Sequence, residues 1–390
     1  MKLLIVSLFL PHPKAPHAGG RFVYELLRHL SQSHEIDLAT RHEEHEAPLL
    51  THLRPYCRSI YPYPYSTAAK RGLLDKLGLI GNYLGFSRFA DRLIAGGNYD
   101  LVQVEWVEAA ILIRRRRVPM LLDAHDVITK PAERSWRKAS GVGKLFAWLQ
   151  YRLIKGAECM IARRFAAVLT RSGYDNQYLQ GMLPEVWSTV IPHPAGLDVS
   201  DSPHETDGRT ILFLASYKYR SVNVTAALWF YREVFPLVRA RVPEARFVIA
   251  GFGPPPELTA LAADPQVEVP GFVDDLDRCY KETAVFVAPI LTGGGIIVKL
   301  LDALAAGTPT VSTTFGNEGV GAVPGRDLLV ADAPQAFAAA VIQLLLDREY
   351  AAALGKNGQG FVREQYGREA VMARLDTVHK EFANSCEQLL

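Results

Sequence analysis

The chain has 390 residues, more than one ordinary hydrophobic core accommodates, so two α/β domains are expected. A hydrophobic content of 49% with 22% charged residues excludes a disordered chain, and no apolar run is long enough to span a bilayer. The net charge of +2 divides unevenly: residues 1–195 hold 26 Lys and Arg against 17 Asp and Glu, so the basic first half attracts anionic surfaces or substrates.

The opening run Met1–Leu10 meets Pro11 without a small-residue cleavage site, and so reads as a buried first strand rather than a signal peptide. In chain order the first half offers strands at Leu3–Leu8, Glu35–Thr40, Leu101–Glu105, Met120–Ala124, Ala167–Thr170 and Ser188–Ile191. Helical patterns lie between them at Arg21–Ser31, Tyr83–Gly96, Leu145–Phe165 and Gly173–Met182. A Pro-, Asp- and Ser-rich stretch from Pro192 suits a linker. The second half repeats the alternation, with strands at Thr210–Leu214, Arg246–Ala250, Val267–Val269, Val285–Ala288, Thr310–Ser312 and Leu328–Val330. Its helices are Val222–Val242, Pro255–Ala263, Asp275–Glu282, Ile297–Ala306, Ala333–Leu346 and Tyr350–Gln365. Strands alternating with longer helices predict two doubly wound parallel sheets, which bind ligands at the carboxyl ends of their strands. The domains read as 1–192, a linker 193–207, and 208–365, with 366–390 a final helix that packs back on the first domain. Cys57, Cys159, Cys279 and Cys386 are widely spaced, which argues for a reducing compartment and against structural zinc.

The most informative segment is Thr292–Thr313. Gly293, Gly294 and Gly295 open into an apolar helix carrying Lys299 and, three residues on, Asp302. Glycines let a ligand reach the first N–H groups of a helix, whose dipole favours anions. Lys299 and Asp302 share one face, which suits a phosphate followed by a hydroxylated ring. Taken alone, glycine before a helix is equally ordinary loop chemistry.

Five segments in order resemble the retaining, nucleotide-sugar-dependent glycosyltransferases of family four (group 1), which have the GT-B fold. They are the Gly19-Gly20 loop and helix, the Val190–Asp198 linker, the loop at Phe213–Asn223, the loop at Gly271–Leu276, and Gly293–Thr313. The resemblance implies two Rossmann-like domains facing a central cleft, with the donor on the second and the acceptor on the first. It departs from the commonest pattern in three places: Gly294 stands where a glutamate is usual, Asp302 where a second glutamate is usual, and Ile297 where the glycine-rich branch carries arginine.

The resemblance puts Gly19 and Gly20 against the donor phosphates, although a plain turn explains them too. It puts His125, just past an apolar strand, against the transferred sugar, where a histidine can also be a core brace. Asp126 orients His125 or caps a turn, and Asp123 points to the other strand face. Ser216 and Lys218 fall on the donor side of their loop, with Arg220 nearby; a solvated loop competes with that reading. Gly271, Phe272 and Val273 are expected near the base, Asp302 on the ribose, and Lys299 with Gly293–Gly295 on the diphosphate. Glu318 is a sugar contact or a loop brace. Asp274 and Asp275 read as helix caps, and neither a metal nor another cofactor is expected.

The implied reaction moves a sugar from a nucleoside diphosphate donor to a glycan, lipid-linked or small-molecule hydroxyl, in polysaccharide, glycolipid or glycoconjugate synthesis. Competing readings are an inactive GT-B scaffold partnering an active transferase, a nucleotide-sugar epimerase, and a phosphorylase-like enzyme. Arg114–Arg117 and the basic, aromatic stretch Arg134–Arg164 suit either a solvated helix or docking on an anionic membrane. No nucleic-acid motif accompanies them. A cytoplasmic protein, peripheral on the membrane's inner face, is the expectation.

Overall fold

The computed structural model describes residues 1–13, 15, 18–65, 73–197, 199, 204–218, 220–292 and 296–384. The chain divides into two compact units, Met1–His193 with Met372–Leu390, and Pro194–Val371.

The first unit is built on strands β1 (Lys2–Ser7), β2 (Glu35–His42), β3 (Ser59–Pro64), β4 (Leu101–Glu105), β5 (Met120–Asp123), β6 (Ala167–Thr170) and β7 (Ser188–Val190). They form one seven-stranded sheet in the order β3-β2-β1-β4-β5-β6-β7, and every pairing is parallel. Helices cover both faces of such a sheet, so its central strands are apolar on both sides, as in Leu3–Val6 and Leu101–Val104 apart from Gln103. The chain winds outward from β1 to β3 and then returns to place β4 beside β1, which makes their carboxyl ends the switch point. Strand β3 has no counterpart in the pattern-based reading. Pro62 and Pro64 demote a run to non-strand or edge, and β3 is the edge. A helix at Thr129–Lys138, also unanticipated, precedes the long helix Gly141–Ala162.

The second unit repeats the winding with β8 (Thr210–Leu214), β9 (Arg246–Ala250), β10 (Val267–Gly271), β11 (Val285–Ala288), β12 (Thr310–Ser312) and β13 (Leu329–Val330), ordered β10-β9-β8-β11-β12-β13. Val222–Val242, expected as one helix, is three: Ser221–Trp229, a π-helical turn Phe230–Val234, and Phe235–Arg239. Pro236 accounts for the break, since it has no N–H to donate and its ring crowds the carbonyl four residues back. Phe230, Phe235, Phe247 and Phe337 are fully buried and fill the space beneath this helix.

The last helix, Arg368–Asn384, buries Val371, Met372, Leu375 and Val378, and from Met372 onward it belongs to the first unit. His29 Nε2 meets Asp376 at 2.9 Å, and the ring of Trp187 packs edge-on to Phe382.

Candidate active site

In the first unit, three adjacent parallel strands end in charged or polar groups that meet. Glu105 closes β4, Asp123 closes β5 with His125 two residues on, and Arg171 follows β6. All four side chains are buried. His125 Nε2 lies 2.7 Å from Glu105 Oε2, and its backbone N–H donates to Asp123 Oδ1 at 3.3 Å. Arg171 Nη2 donates to Asp123 Oδ2 at 2.5 Å and lies 3.1 Å from His125 Nε2 and 3.7 Å from Glu105 Oε2. Its Nη1 donates to the Ile191 carbonyl, and its guanidinium rests on Phe22, 4.0 Å from the ring centroid.

Trp106 and His125 both have left-handed backbone, φ 72° and 54°. For non-glycine residues this conformation costs free energy and persists only where the surroundings over-determine it. Here the two rings stack on each other, with centroids 3.9 Å apart and planes within 4°. The first turn of the Ala18–Leu30 helix lies against that stack. A Cβ at Gly19 would fall 2.5 Å from Trp106 Cζ2 and 3.1 Å from His125 Nδ1 and Cε1. Gly19→Ala is therefore expected to displace the stacked rings and lower turnover at least about tenfold, since small displacements of positioning groups are costly. Steady-state kinetics, with a melting temperature to show that the fold persists, checks this; unchanged kcat would detach Gly19 from the site.

Burial pushes the Glu105 carboxyl well above the usual carboxylate range, reinforced by Asp123 and opposed by Arg171 and Gln103. The cluster sets one guanidinium against two carboxyls, so burial favours the protonated form of Glu105. Glu105, Asp123 and His125 could together ligate a cation. The Arg171 guanidinium already lies among them, and an ion would have to displace it.

Behind Glu105 the network continues into the core. Gln103 Nε2 donates to Glu105 Oε1 at 2.6 Å, and Gln103 Oε1 lies 2.6 Å from Nε2 of His379, on the last helix. Burial pushes the His379 imidazole down from 6.5 to about 4. Unfolded, this histidine takes up a proton below its ordinary value, whereas folded it stays neutral down to about 4. Its contribution to stability is thus present above the unfolded value and lost as pH falls through that window. Asp123 acts oppositely: burial raises it from 3.8 to about 6, so its contribution declines as pH rises between those values. The unfolding free-energy difference between wild type and His379→Gln isolates the histidine. It is expected to narrow by up to about 3 kcal/mol between pH 7 and pH 4 in urea titrations; a pH-independent difference would place the imidazole in water.

In the second unit the carboxyl ends of β8, β9 and β10 lie side by side. Ser216 and Lys218 follow β8, Phe252 follows β9, and Gly271-Phe272-Val273 ends β10. Tyr217 N–H donates to the Phe252 carbonyl at 2.9 Å, and Gly251 N–H to the Gly271 carbonyl at 2.7 Å, which ties the three loops together. Gly251 has φ 135°, and a Cβ there would strike the Ala215 carbonyl. Phe252 and Phe272 are exposed and pack edge to face, centroids 6.5 Å apart, and Lys218 Nζ lies 5.4 Å from the Phe252 centroid. Ser216 is exposed, and its carbonyl accepts from Asn223 Nδ2 at 2.8 Å.

Lys299 and Asp302 lie on the Val298–Ala305 helix and pair at 3.2 Å. Asp302 departs from the surroundings expected of a ribose acceptor. Its side chain is 2% exposed, and its Oδ1 accepts the backbone N–H groups of Gly196 and Leu197 at 2.9 and 3.2 Å. The carboxylate thus clamps the linker against its own unit, where Leu197, Val273 and Ile297 pack on one apolar cluster. Gly196 permits the approach, as a Cβ there would lie 2.8 Å from Oδ1. Asp275, expected as a cap, accepts from Arg278 N–H at the start of Leu276–Lys281. Glu318 is half-buried at the end of the Thr314–Asn317 helix. Gly20 is buried in the first turn of the Ala18–Leu30 helix. Gly293, Gly294 and Gly295 lie outside the described residues.

Glu105, Trp106, Arg171 and Phe252 were not singled out from the sequence. The available signal was positional: each ends or immediately follows a buried parallel strand, where α/β sheets place their ligand-facing groups.

Two parallel, doubly wound units with polar groups gathered at the strand ends define a two-domain Rossmann-like protein of the GT-B kind. Residues 19–198 match the family model described as Glycosyltransferase Family 4, and residues 208–347 match Glycosyl transferases group 1. The chain belongs to the group 1 glycosyltransferases and is a glycosyltransferase. It is 22% identical over 390 residues to an uncharacterized 44.6 kDa protein in the cps region of Klebsiella pneumoniae, covering 96% of this chain and 98% of that one. It is 31% identical over 174 residues to a phosphatidyl-myo-inositol mannosyltransferase of Mycolicibacterium smegmatis, covering 41% of this chain and 44% of the relative. Sucrose-phosphate synthase of Thermosynechococcus elongatus has the same fold, with a TM-score of 0.69 at 17% identity over 99% of this chain and 100% of that one.

Proposed function

We propose that this glycosyltransferase moves a sugar from a nucleoside diphosphate donor to a hydroxyl of a glycan, lipid-linked or small-molecule acceptor, with retention at the anomeric carbon. The observation that carries the reading is the pair of strained residues Trp106 and His125, held by buried charges at the carboxyl ends of β4 and β5. A histidine kept in one orientation by Glu105 can hydrogen-bond a hydroxyl of the transferred sugar. In the second unit, the exposed rings of Phe252 and Phe272 offer apolar faces for a base. Lys218 and Lys299 supply cations for a diphosphate, where leaving-group charge develops in the transition state.

In this reading the bond from the anomeric carbon to the diphosphate oxygen breaks, the acceptor oxygen bonds to that carbon from the same face, and the acceptor proton passes to the departing phosphate. No protein nucleophile is required, and none is assigned. The role of Asp302 shifts from ribose ligand to support for Lys299 and the linker. Polysaccharide or glycolipid synthesis is the proposed setting, supported by the cps-region and phosphatidylinositol relatives.

Incubation with UDP-, GDP- and TDP-sugars and simple glycoside acceptors, with products analysed by NMR, tests the reading. A product with the donor's anomeric configuration is expected from at least one donor. An inverted product would overturn retention. Absence of both thermal protection by every nucleotide and turnover of every donor would overturn the donor assignment.

A further inference from the structure

The Gly141–Ala162 helix carries a surface that the transfer reaction does not use. Val142, Leu145, Phe146, Leu149, Leu153 and Met160 recur at spacings of three, four and seven residues, which places them along one side of the helix. In a soluble fold such a stripe faces the core. Here all six are exposed, from 46% for Leu149 to 87% for Val142. The side that is covered is another one: Tyr151 stacks on Trp136 of the Thr129–Lys138 helix, centroids 5.3 Å apart, and Glu158 accepts the N–H groups of Ile128 and Thr129.

Charge decides what covers the stripe. Arg152 borders the stripe, over the Trp148 ring, while Lys144 and Lys155 lie farther round the same flank, Lys155 over Tyr151. Between Arg134 and Ala157 the sequence holds six Lys and Arg and no Asp or Glu. A second copy of the same face would bring no acidic partner for these cations. An apolar stripe with a cationic, aromatic flank matches the acyl boundary and anionic headgroups of a bilayer. No helix among the described residues is long and apolar enough to cross a membrane, so the contact is with the surface.

We propose that this helix lies in the plane of an anionic bilayer and docks the first unit on it, with Leu145, Phe146, Leu149 and Leu153 entering the acyl boundary. The experiment is sedimentation of the full chain with vesicles of phosphatidylcholine, with and without phosphatidylglycerol. The wild type is expected to bind the phosphatidylglycerol vesicles and to be released by salt. Lys144→Glu/Arg152→Glu/Lys155→Glu is expected to weaken that binding by at least about 100-fold. Leu145→Ser/Phe146→Ser/Leu149→Ser should weaken it at least about tenfold on either lipid. These positions are exposed apart from the half-buried Lys155, and circular dichroism verifies that both variants fold. Equal binding of the wild type to both vesicle types would overturn the proposal, as would unchanged binding of the serine variant. A wild-type dimer that the serine variant converts to monomer would instead assign the stripe to self-association.

Discussion

Arg171→Met is expected to lower the unfolding free energy of the first unit by about 3–5 kcal/mol, because it leaves buried carboxyls without their cation. Asp123 and Glu105 are both buried, and the guanidinium is 2.5 Å from one and 3.7 Å from the other. Methionine fills much of the volume but supplies neither the charge nor the hydrogen bond to the Ile191 carbonyl. Arg171→Lys keeps the charge and loses the fork, so it should cost less. Asp123→Asn in the Arg171→Met background removes one stranded charge and should recover part of the loss, a coupling that a double-mutant cycle reads directly. Urea denaturation measures all five proteins, the single Asp123→Asn variant and wild type included. A loss below about 1 kcal/mol for Arg171→Met would mean that water reaches the cluster. Because the same guanidinium meets His125, this variant should also lose turnover by more than its folded fraction explains.

The second large effect concerns Asp302. Asp302→Ala is expected to cost about 1–3 kcal/mol, the penalty for stranding the two N–H groups of Gly196 and Leu197. Asp302→Asn retains an acceptor for those N–H groups while removing the charge that faces Lys299. It should therefore remain close to wild type in stability. If the carboxylate serves the linker, nucleotide affinity of Asp302→Asn falls less than about tenfold, the loss coming only through a less ordered Lys299. Isothermal titration with UDP and GDP, paired with thermal melts, separates the outcomes. Complete loss of nucleotide binding with an unchanged melting temperature would return Asp302 to the ribose.

Much of the fold was legible because strand and helix patterns are local. Alternation of apolar strands with amphipathic helices led to two parallel sheets, and the strands Leu101–Glu105, Ala167–Thr170, Thr210–Leu214 and Arg246–Ala250 have the same bounds in the structure. The misses have local causes as well. Prolines concealed the edge strand Ser59–Pro64, and Pro236 divided a helix that looked continuous. The site was legible only in part. His125 stood out as a histidine after a strand, whereas its partners Glu105 and Arg171 are 20 and 46 residues away in the chain. Nothing local to either marks the pairing.

The sequence alone determined the family and the two α/β units, because motifs and periodicity are written within short segments. Tertiary structure decided which charges meet. Parallel strands bring Glu105, Asp123 and Arg171 together at the carboxyl end of one sheet, and folding of the linker onto its unit turns Asp302 inward to two backbone N–H groups. It also decided that the apolar side of Gly141–Ala162 faces outward, because the opposite side is the one covered. Spacing gives the face a residue occupies on its own element, and burial depends on what the rest of the chain places against that face.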